Sequence, residues 1–258
     1  MQELLSSPPY DLGGFGTLWG FDAQSFGRSI YAHGHQLDQL IVPGDVACNG
    51  REIVIDGDPF VVLSEPDAKK LPWHDLGVDS VVESSGRFRH INELEWHLAA
   101  GAARVLLTVP TEEPLEGTSA TGVNDHVVTA DARIISNASC TTNCAAPVAK
   151  MLHDAFQIKR RLLATVHAYT SDHRLINAPH KDKHRSRSAA TNIVPTSTGA
   201  ARAIGIVIPA LAGKLDGIAM RVPVPDGSVV DLTVELEHSV TVEEANEAMR
   251  VAQLDSDP

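Results

Sequence analysis

Cysteine is scarce in this chain. Its three cysteines, Cys48, Cys140 and Cys144, are too few for a disulfide framework and point to a reducing compartment such as the cytoplasm. No second Cys/His pair joins Cys140 and Cys144 at ligand spacing, so no metal site is expected. Positive charge is also short, with 21 Lys and Arg against 33 Asp and Glu and a net charge of −12. That balance argues against a general affinity for nucleic acid, so any phosphate binding must come from a local basic cluster. No apolar run reaches membrane-spanning length and no basic-then-apolar leader follows Met1, so no membrane partner is expected. Internal repeats and low-complexity tracts are absent. The rest is the composition of a globular protein, 43% hydrophobic and 21% charged, and 258 residues suffice for one large or two modest domains.

Helices and strands alternate along the chain. Short strands are expected near 42–46, 52–55 and 60–63, with turns at Asn49-Gly50 and Asp56-Gly57. A strand over 78–84 ends in Ser85-Gly86, a helix covers 92–100, and 105–110 reads as a buried parallel strand. This alternation predicts an α/β fold with a doubly wound first half. The second half predicts a helix over 145–156, a strand over 162–167 and a long polar loop over 168–192. A helix over 198–212, strands over 218–224 and 229–236, and a helix capped at Thr241 follow. The domain boundary is expected near residue 139.

The apolar run Arg133-Ile134-Ile135 stops in front of Ser136-Asn137-Ala138-Ser139-Cys140-Thr141-Thr142-Asn143-Cys144, and a helical pattern starts behind it. Cys140 is therefore expected where a strand turns into a helix. Unpaired N–H groups and the positive helix end favour thiolate there. Small hydroxyl and amide side chains around it suit an oxyanion or a phosphate. Read without context, Cys140 is equally a buried structural cysteine beside an N-cap, Arg221 a surface ion-pair residue and Thr198 a helix cap. The run Lys181, Lys183, Arg185 and Arg187 is either a solvated face or a device that focuses anions.

The run from Ser136 to Cys144 resembles, at every position, the catalytic stretch of phosphorylating glyceraldehyde-3-phosphate dehydrogenases. His167-Ala168-Tyr169-Thr170 resembles that family's base motif, and the resemblance extends over 42–253. It implies an incomplete Rossmann-like doubly wound domain, 1–139, followed by an α+β catalytic domain, 140–258. Cys140 would be the nucleophile and His167 the base. Thr170, Asp172, Arg187 and Arg221 would bind the substrate phosphate, with Arg187 open to a second anion site instead. Ser139, Thr141, Thr198 and Gly199 would hold the attacking inorganic phosphate. Ser85, Gly86 and Thr108 would contact a nicotinamide cofactor, NAD or NADP. The resemblance further implies a phosphorylated aldehyde substrate, a place in glycolysis and a homotetramer with the 168–192 loop between subunits.

Departures from the family pattern sit on the cofactor side. Pro66 stands where the family has its adenine-side arginine, Ser85 replaces threonine, and His184 stands where relatives usually carry arginine. Gly13-Gly14-Phe15-Gly16 and Gly20 lack the strand and helix that a dinucleotide turn requires, so a Gly-rich loop is the favoured reading. Phe26-Gly27-Arg28-Ser29-Ile30-Tyr31 resembles either the end of the family's first glycine fingerprint or a later segment starting at Phe21-Asp22. The family's closing strands and return helix are not found before Pro258. Weakened cofactor binding and a fold that leans on a partner are therefore expected. Two alternatives stand beside the dehydrogenase: a cofactor-free thiol acyl-phosphatase or esterase at Cys140, and a non-catalytic partner of a full-length relative.

Overall fold

The computed structural model describes residues 29–31, 46–49, 52–55, 57–115, 117–170 and 173–255. The glycine-rich segment 13–20, Phe26-Gly27-Arg28 of the Phe26–Tyr31 motif, residues 42–45 of the expected 42–46 strand and Asp172 lie outside the described residues. The chain forms two compact units that divide after Leu106. The sequence reading put the boundary near 139. Residues 107–138 fall in the second unit because they are tied to the segment that enters the helix beginning at Cys140. Asn137 N–H donates to Leu107 O at 2.9 Å, and Ser136 Oγ donates to Val109 O at 2.8 Å.

In the first unit, β1 (Ser29–Tyr31), β2 (Val46–Asn49), β3 (Glu52–Ile55) and β4 (Asp58–Leu63) form a sheet in the order β1-β4-β3-β2. β2, β3 and β4 make an antiparallel meander, and β1 pairs with β4 in parallel. β5 (Ser80–Glu83) and β6 (Arg104–Leu107) are neighbours in another sheet, with α1 (Ile91–Ala99) between them in the chain. This is the expected strand–helix–strand alternation of an α/β fold. Glu93 reaches back from the first turn of α1 to accept the His90 N–H at 3.1 Å, which fixes the helix start. Gly101 ends it at φ +112°, where a Cβ would lie 2.7 Å from His74 N, so a side chain is barred twice over. Leu71, Trp73, Phe88, Leu94 and Val105 are buried.

In the second unit, β7 (Ile134–Ser136) leads into α2 (Cys140–Phe156). β8 (Ile158–Ala168), β9 (Val194–Ser197), α3 (Ala200–Val207), β10 (Leu215–Val222), β11 (Ser228–Leu236) and α4 (Val242–Asp255) follow. The sheet order is β11-β8-β10-β9; β8 and β10 run parallel, and the outer pairs are antiparallel. Period-two alternation along β8 buries Leu163 and Thr165 and exposes Leu162 and Val166. The buried face packs with Ala145, Ala146 and Ala149 of α2 and Ile204 and Val207 of α3. Alanines let α2 approach closely, and Gly217 on β10 has no room for a Cβ, which would meet Leu163 O at 2.9 Å.

α2 begins at Cys140 rather than at the first apolar-periodic residue, because polar residues that cap and hydrogen-bond occupy its first turn. The expected helix over 198–212 is shorter: α3 stops at Val207, and Pro209 opens a separate 3-10 turn, Pro209–Leu211. The described residues of the 169–193 loop contain no helix or strand. The loop is instead cross-tied by Ala178 N–H to Ser186 O, 3.0 Å, and Ala189 N–H to Arg174 O, 2.8 Å. Among the described residues, no helix is long and apolar enough to cross a membrane.

Candidate active site

Everything at this site follows from the turn between β7 and α2. Ala138 is buried and left-handed, with φ +52°. Such a conformation costs a non-glycine residue about 1–3 kcal/mol, so it persists only where neighbours enforce it. Ser136 Oγ accepts the Ala138 N–H at 3.2 Å on one side. Asn143 Nδ2 donates to Asn137 O at 2.7 Å and to Ser139 O at 3.0 Å on the other. Ser139 is then the N-cap, accepting the Thr142 N–H at 3.1 Å. The chain is thus bent so that Cys140, the first helical residue, is exposed at the positive end of a 17-residue helix.

His167 near the end of β8 meets it. Cys140 Sγ lies 3.4 Å from His167 Nε2. The other ring nitrogen, Nδ1, is 2.7 Å from Ala168 O and 2.9 Å from Arg221 Nη1. The ring can therefore be served in either tautomer: Ala168 O accepts when Nδ1 carries a proton, and Arg221 donates when it does not. Arg221 Nη1 also lies 3.0 Å from Ala168 O and 3.3 Å from Thr170 Oγ1. Arg221 Nε is buried without a hydrogen-bond partner among the described residues. Burial lowers the Arg221 pKa, while the charge on Cys140 opposes that shift.

Of the residues singled out from the sequence, Cys140, His167, Thr170 and Arg221 come together. Ser139 lies beside them, its hydroxyl 2.7 Å from Thr142 Oγ1, and the Thr141 side chain is buried. Thr198 and Gly199 form the entry to α3. Gly199, rather than Thr198, is its N-cap, and Thr198 Oγ1 accepts the Ala200 N–H at 3.2 Å. Arg187 is exposed on the long loop, its N–H bonded to His184 O at 3.1 Å. Arg185, which the sequence reading grouped only with the charge run, turns inward instead. Burial and the nearby charge of Arg221 both lower its pKa. No sequence signal separates it from Arg187. The cross-ties of the loop, including Arg174 N–H to Arg185 O at 3.3 Å, decide which arginine faces inward. His173 is buried, and its pKa is lowered by burial first and by the charge of Arg221 second.

The three residues read as cofactor contacts are all exposed. Ser85 and Gly86 form the turn after β5 in the first unit, with Gly86 at φ +69°, and Thr108 is the second residue of the second unit. An exposed hydroxyl and a glycine at the carboxyl end of a strand is an arrangement that fits a dinucleotide.

Two family models match the sequence. Residues 139–256 match the C-terminal domain of glyceraldehyde 3-phosphate dehydrogenase, and residues 31–91 match its NAD binding domain. The chain is similar to the glyceraldehyde-3-phosphate dehydrogenase of Borreliella burgdorferi, with 50% identity over 212 residues, 78% of this chain and 61% of the relative. It is 50% identical over 230 residues to that of Mycolicibacterium smegmatis, covering 87% of this chain and 67% of the relative. For Geobacillus stearothermophilus the identity is 49% over 209 residues, covering 81% and 62%. The alignments thus span 61% to 67% of the length of these curated relatives.

Proposed function

Because this chain belongs to the glyceraldehyde-3-phosphate dehydrogenase family, we propose that it oxidises a phosphorylated aldehyde to an acyl phosphate through a thioester on Cys140. The observation that carries the reading is Cys140 Sγ at 3.4 Å from His167 Nε2, at the head of α2. Sulfur adds to the aldehyde carbon, and the first-turn N–H groups of α2 stabilise the resulting oxyanion. His167 Nε2 holds the thiol proton and gives it to that oxygen. It then withdraws the hydroxyl proton as the C–H bond breaks with its electron pair. A nicotinamide dinucleotide, NAD or NADP, would accept the hydride when bound, with Ser85 and Gly86 of the first unit and Thr108 of the second as its proposed contacts. Inorganic phosphate near Ser139, Thr141, Thr198 and Gly199 attacks the thioester carbon. The C–S bond breaks, and Cys140 leaves as thiolate beside His167.

The unpartnered, buried Arg221 Nε supports an anion pocket for the substrate phosphate, with Thr170 beside it and Arg185 adding charge. Arg187 and Asp172, the latter outside the described residues, remain proposed phosphate contacts because of the family resemblance. Two exposed thiols, Cys140 and Cys144, suit a reducing compartment such as the cytoplasm. The exposed apolar sheet face around Leu162, Ile218 and Val229 suits a homo-oligomer. Incubation with a phosphorylated aldehyde and NAD, without phosphate, should add one acyl mass to the peptide carrying Cys140. Adding phosphate should release it. An acyl adduct on Cys144 instead, or none, would refute the assignment.

A further inference from the structure

The first unit holds a buried polar chain that the reaction above does not use. Glu83 is only 3% exposed and His97 only 1% exposed, yet they face each other with Glu83 Oε2 and His97 Nε2 3.3 Å apart. Trp73 Nε1–H donates to His97 Nδ1 at 3.1 Å. Indole nitrogen only donates, so Nδ1 must offer its lone pair, and the ring proton must sit on Nε2, the ring atom near Glu83. The second carboxylate oxygen, Oε1, accepts the Ser85 N–H at 2.8 Å and the Ser85 hydroxyl at 2.5 Å. Ser85 Oγ in turn accepts the Arg87 N–H at 3.2 Å. His97 Nε2 meets Glu83 as a close polar contact without hydrogen-bond geometry, while Glu83 holds Ser85 through two hydrogen bonds. A buried carboxylate is expensive unless such donors satisfy it.

We propose that Glu83 and His97 are positioning residues for dinucleotide binding: they lock the Ser85-Gly86 turn in the shape that meets the cofactor. The proposal rests on the reading of Ser85 and Gly86 as cofactor contacts. Its logic is that of an outer layer of hydrogen bonds that orients the groups touching a ligand. The exposed turn has Gly86 at φ +69° and would otherwise sample many shapes. Glu83 removes that freedom by holding the Ser85 amide and hydroxyl at once.

Four variants of the full chain test this. Glu83→Gln keeps an acceptor for Ser85 but turns a second N–H toward His97 Nε2–H. Relieving that clash moves the ring proton to Nδ1, where it meets the Trp73 N–H. NAD affinity, read by titration calorimetry, should fall about tenfold or more. Amide exchange at Ser85 and Arg87 should accelerate, and the rate of Cys140 alkylation should not change. Trp73→Phe added to Glu83→Gln removes the collision and should restore part of the affinity, which a merely structural role for Glu83 does not explain. Ser85→Ala lies on the surface and should speed exchange at Arg87 even where the Glu83 variant folds poorly. Gly86→Val tests the underlying reading: unchanged NAD affinity there would remove Ser85-Gly86 from the cofactor site. Weakened binding in Gly86→Val with unchanged affinity and exchange in Glu83→Gln would overturn the positioning role alone. If the wild type binds no dinucleotide, the cofactor reading falls, and exchange at Ser85 and Arg87 decides whether Glu83 holds the turn.

Discussion

Arg221 stands directly opposite His167 across the parallel pair β10 and β8, with Nη1 2.9 Å from the ring nitrogen that does not face Cys140. Strand register, not loop geometry, creates this contact. A slip of one residue would turn Arg221 to the other face of the sheet. The same guanidinium reaches Thr170, so one side chain touches both the proposed base and the proposed phosphate pocket. Arg221→Met should lower kcat/KM for a phosphorylated aldehyde by roughly 10- to 100-fold, the loss expected for a charge-assisted hydrogen bond. An unphosphorylated aldehyde should suffer far less. Steady-state kinetics with the two substrates measures the difference, and equal losses would remove Arg221 from phosphate recognition.

Reactivity should single out one thiol. Cys140 and Cys144 are both exposed, but only Cys140 has an imidazole at 3.4 Å and the head of a helix. Limiting iodoacetamide followed by peptide mapping should label Cys140 first. His167→Ala should slow that labelling near neutral pH. An unchanged rate would leave the helix end as the sole activator.

Arg161 poses a separate question of stability. It is 6% exposed in β8, and its Nε and Nη1 have no hydrogen-bond partner among the described residues. Nη2 has only a 3.5 Å contact to Leu211 O, and burial pushes the guanidinium pKa down to about 10. Burying a charge without a partner costs more than the side chain's packing returns. Arg161→Met keeps most of the volume and removes the charge. It should stabilise the protein by about 1–4 kcal/mol, the range seen when well-packed apolar residues replace buried ions. Urea denaturation reads this as a higher midpoint at unchanged slope. A lower midpoint would mean that Arg161 has an ionic partner.

The motif around Cys140 was legible because its residues act locally. A cap, a helix start and a strand end are all written within nine positions, Ser136 to Cys144. The left-handed Ala138 was not legible, since alanine carries no preference for that conformation and only Ser136 and Asn143 impose it. Arg185 was missed for a similar reason: its inward direction is set by hydrogen bonds between the two arms of a long loop. The Glu83–His97 pair joins residues from β5 and α1, so no local pattern announces it. Helix α3 ended early at a proline that was visible in the sequence but outweighed by apolar periodicity.

Acid should destabilise the fold in two stages. Burial, and then nearby positive charge, holds His173 and His153 below the ordinary histidine value of 6.5. Below that pH the unfolded chain takes up protons that the folded chain refuses. Stability should therefore be full above about pH 6.5 and fall as the pH drops through the two folded-state values. Glu83 adds the second stage. Burial raises its pKa, but the close contact with His97 and the hydrogen bonds from Ser85 outweigh burial and leave it below 4.5. Its contribution is present above 4.5 and lost as the pH falls through its lower folded-state value. Urea midpoints across this range test the order. His173→Gln should flatten the first stage, and an unaltered profile would show that the histidine is not responsible.

Assembly gives the last test. The face of the second-unit sheet turned away from α2 carries Leu162 and Val166 on β8, Ile218 on β10 and Val229 on β11. Val166 pairs in register with Val229, and Ile218 with Ala164, so these side chains share one face. Leu162, Ile218 and Val229 are each more than half exposed, at 51%, 53% and 65%. Contiguous apolar patches of this kind mark contact surfaces in soluble proteins. Burying each such side chain contributes about 1.5–3 kcal/mol, so a second copy covering the face would gain substantially. Sedimentation velocity should therefore show an oligomer. Val229→Lys would place an unpaired charge in the contact and should shift the distribution toward monomer. Val251→Lys, at an exposed site on α4, should leave it unchanged. A monomeric wild type, or an oligomer indifferent to Val229→Lys, would show that copies of this chain do not meet through this face.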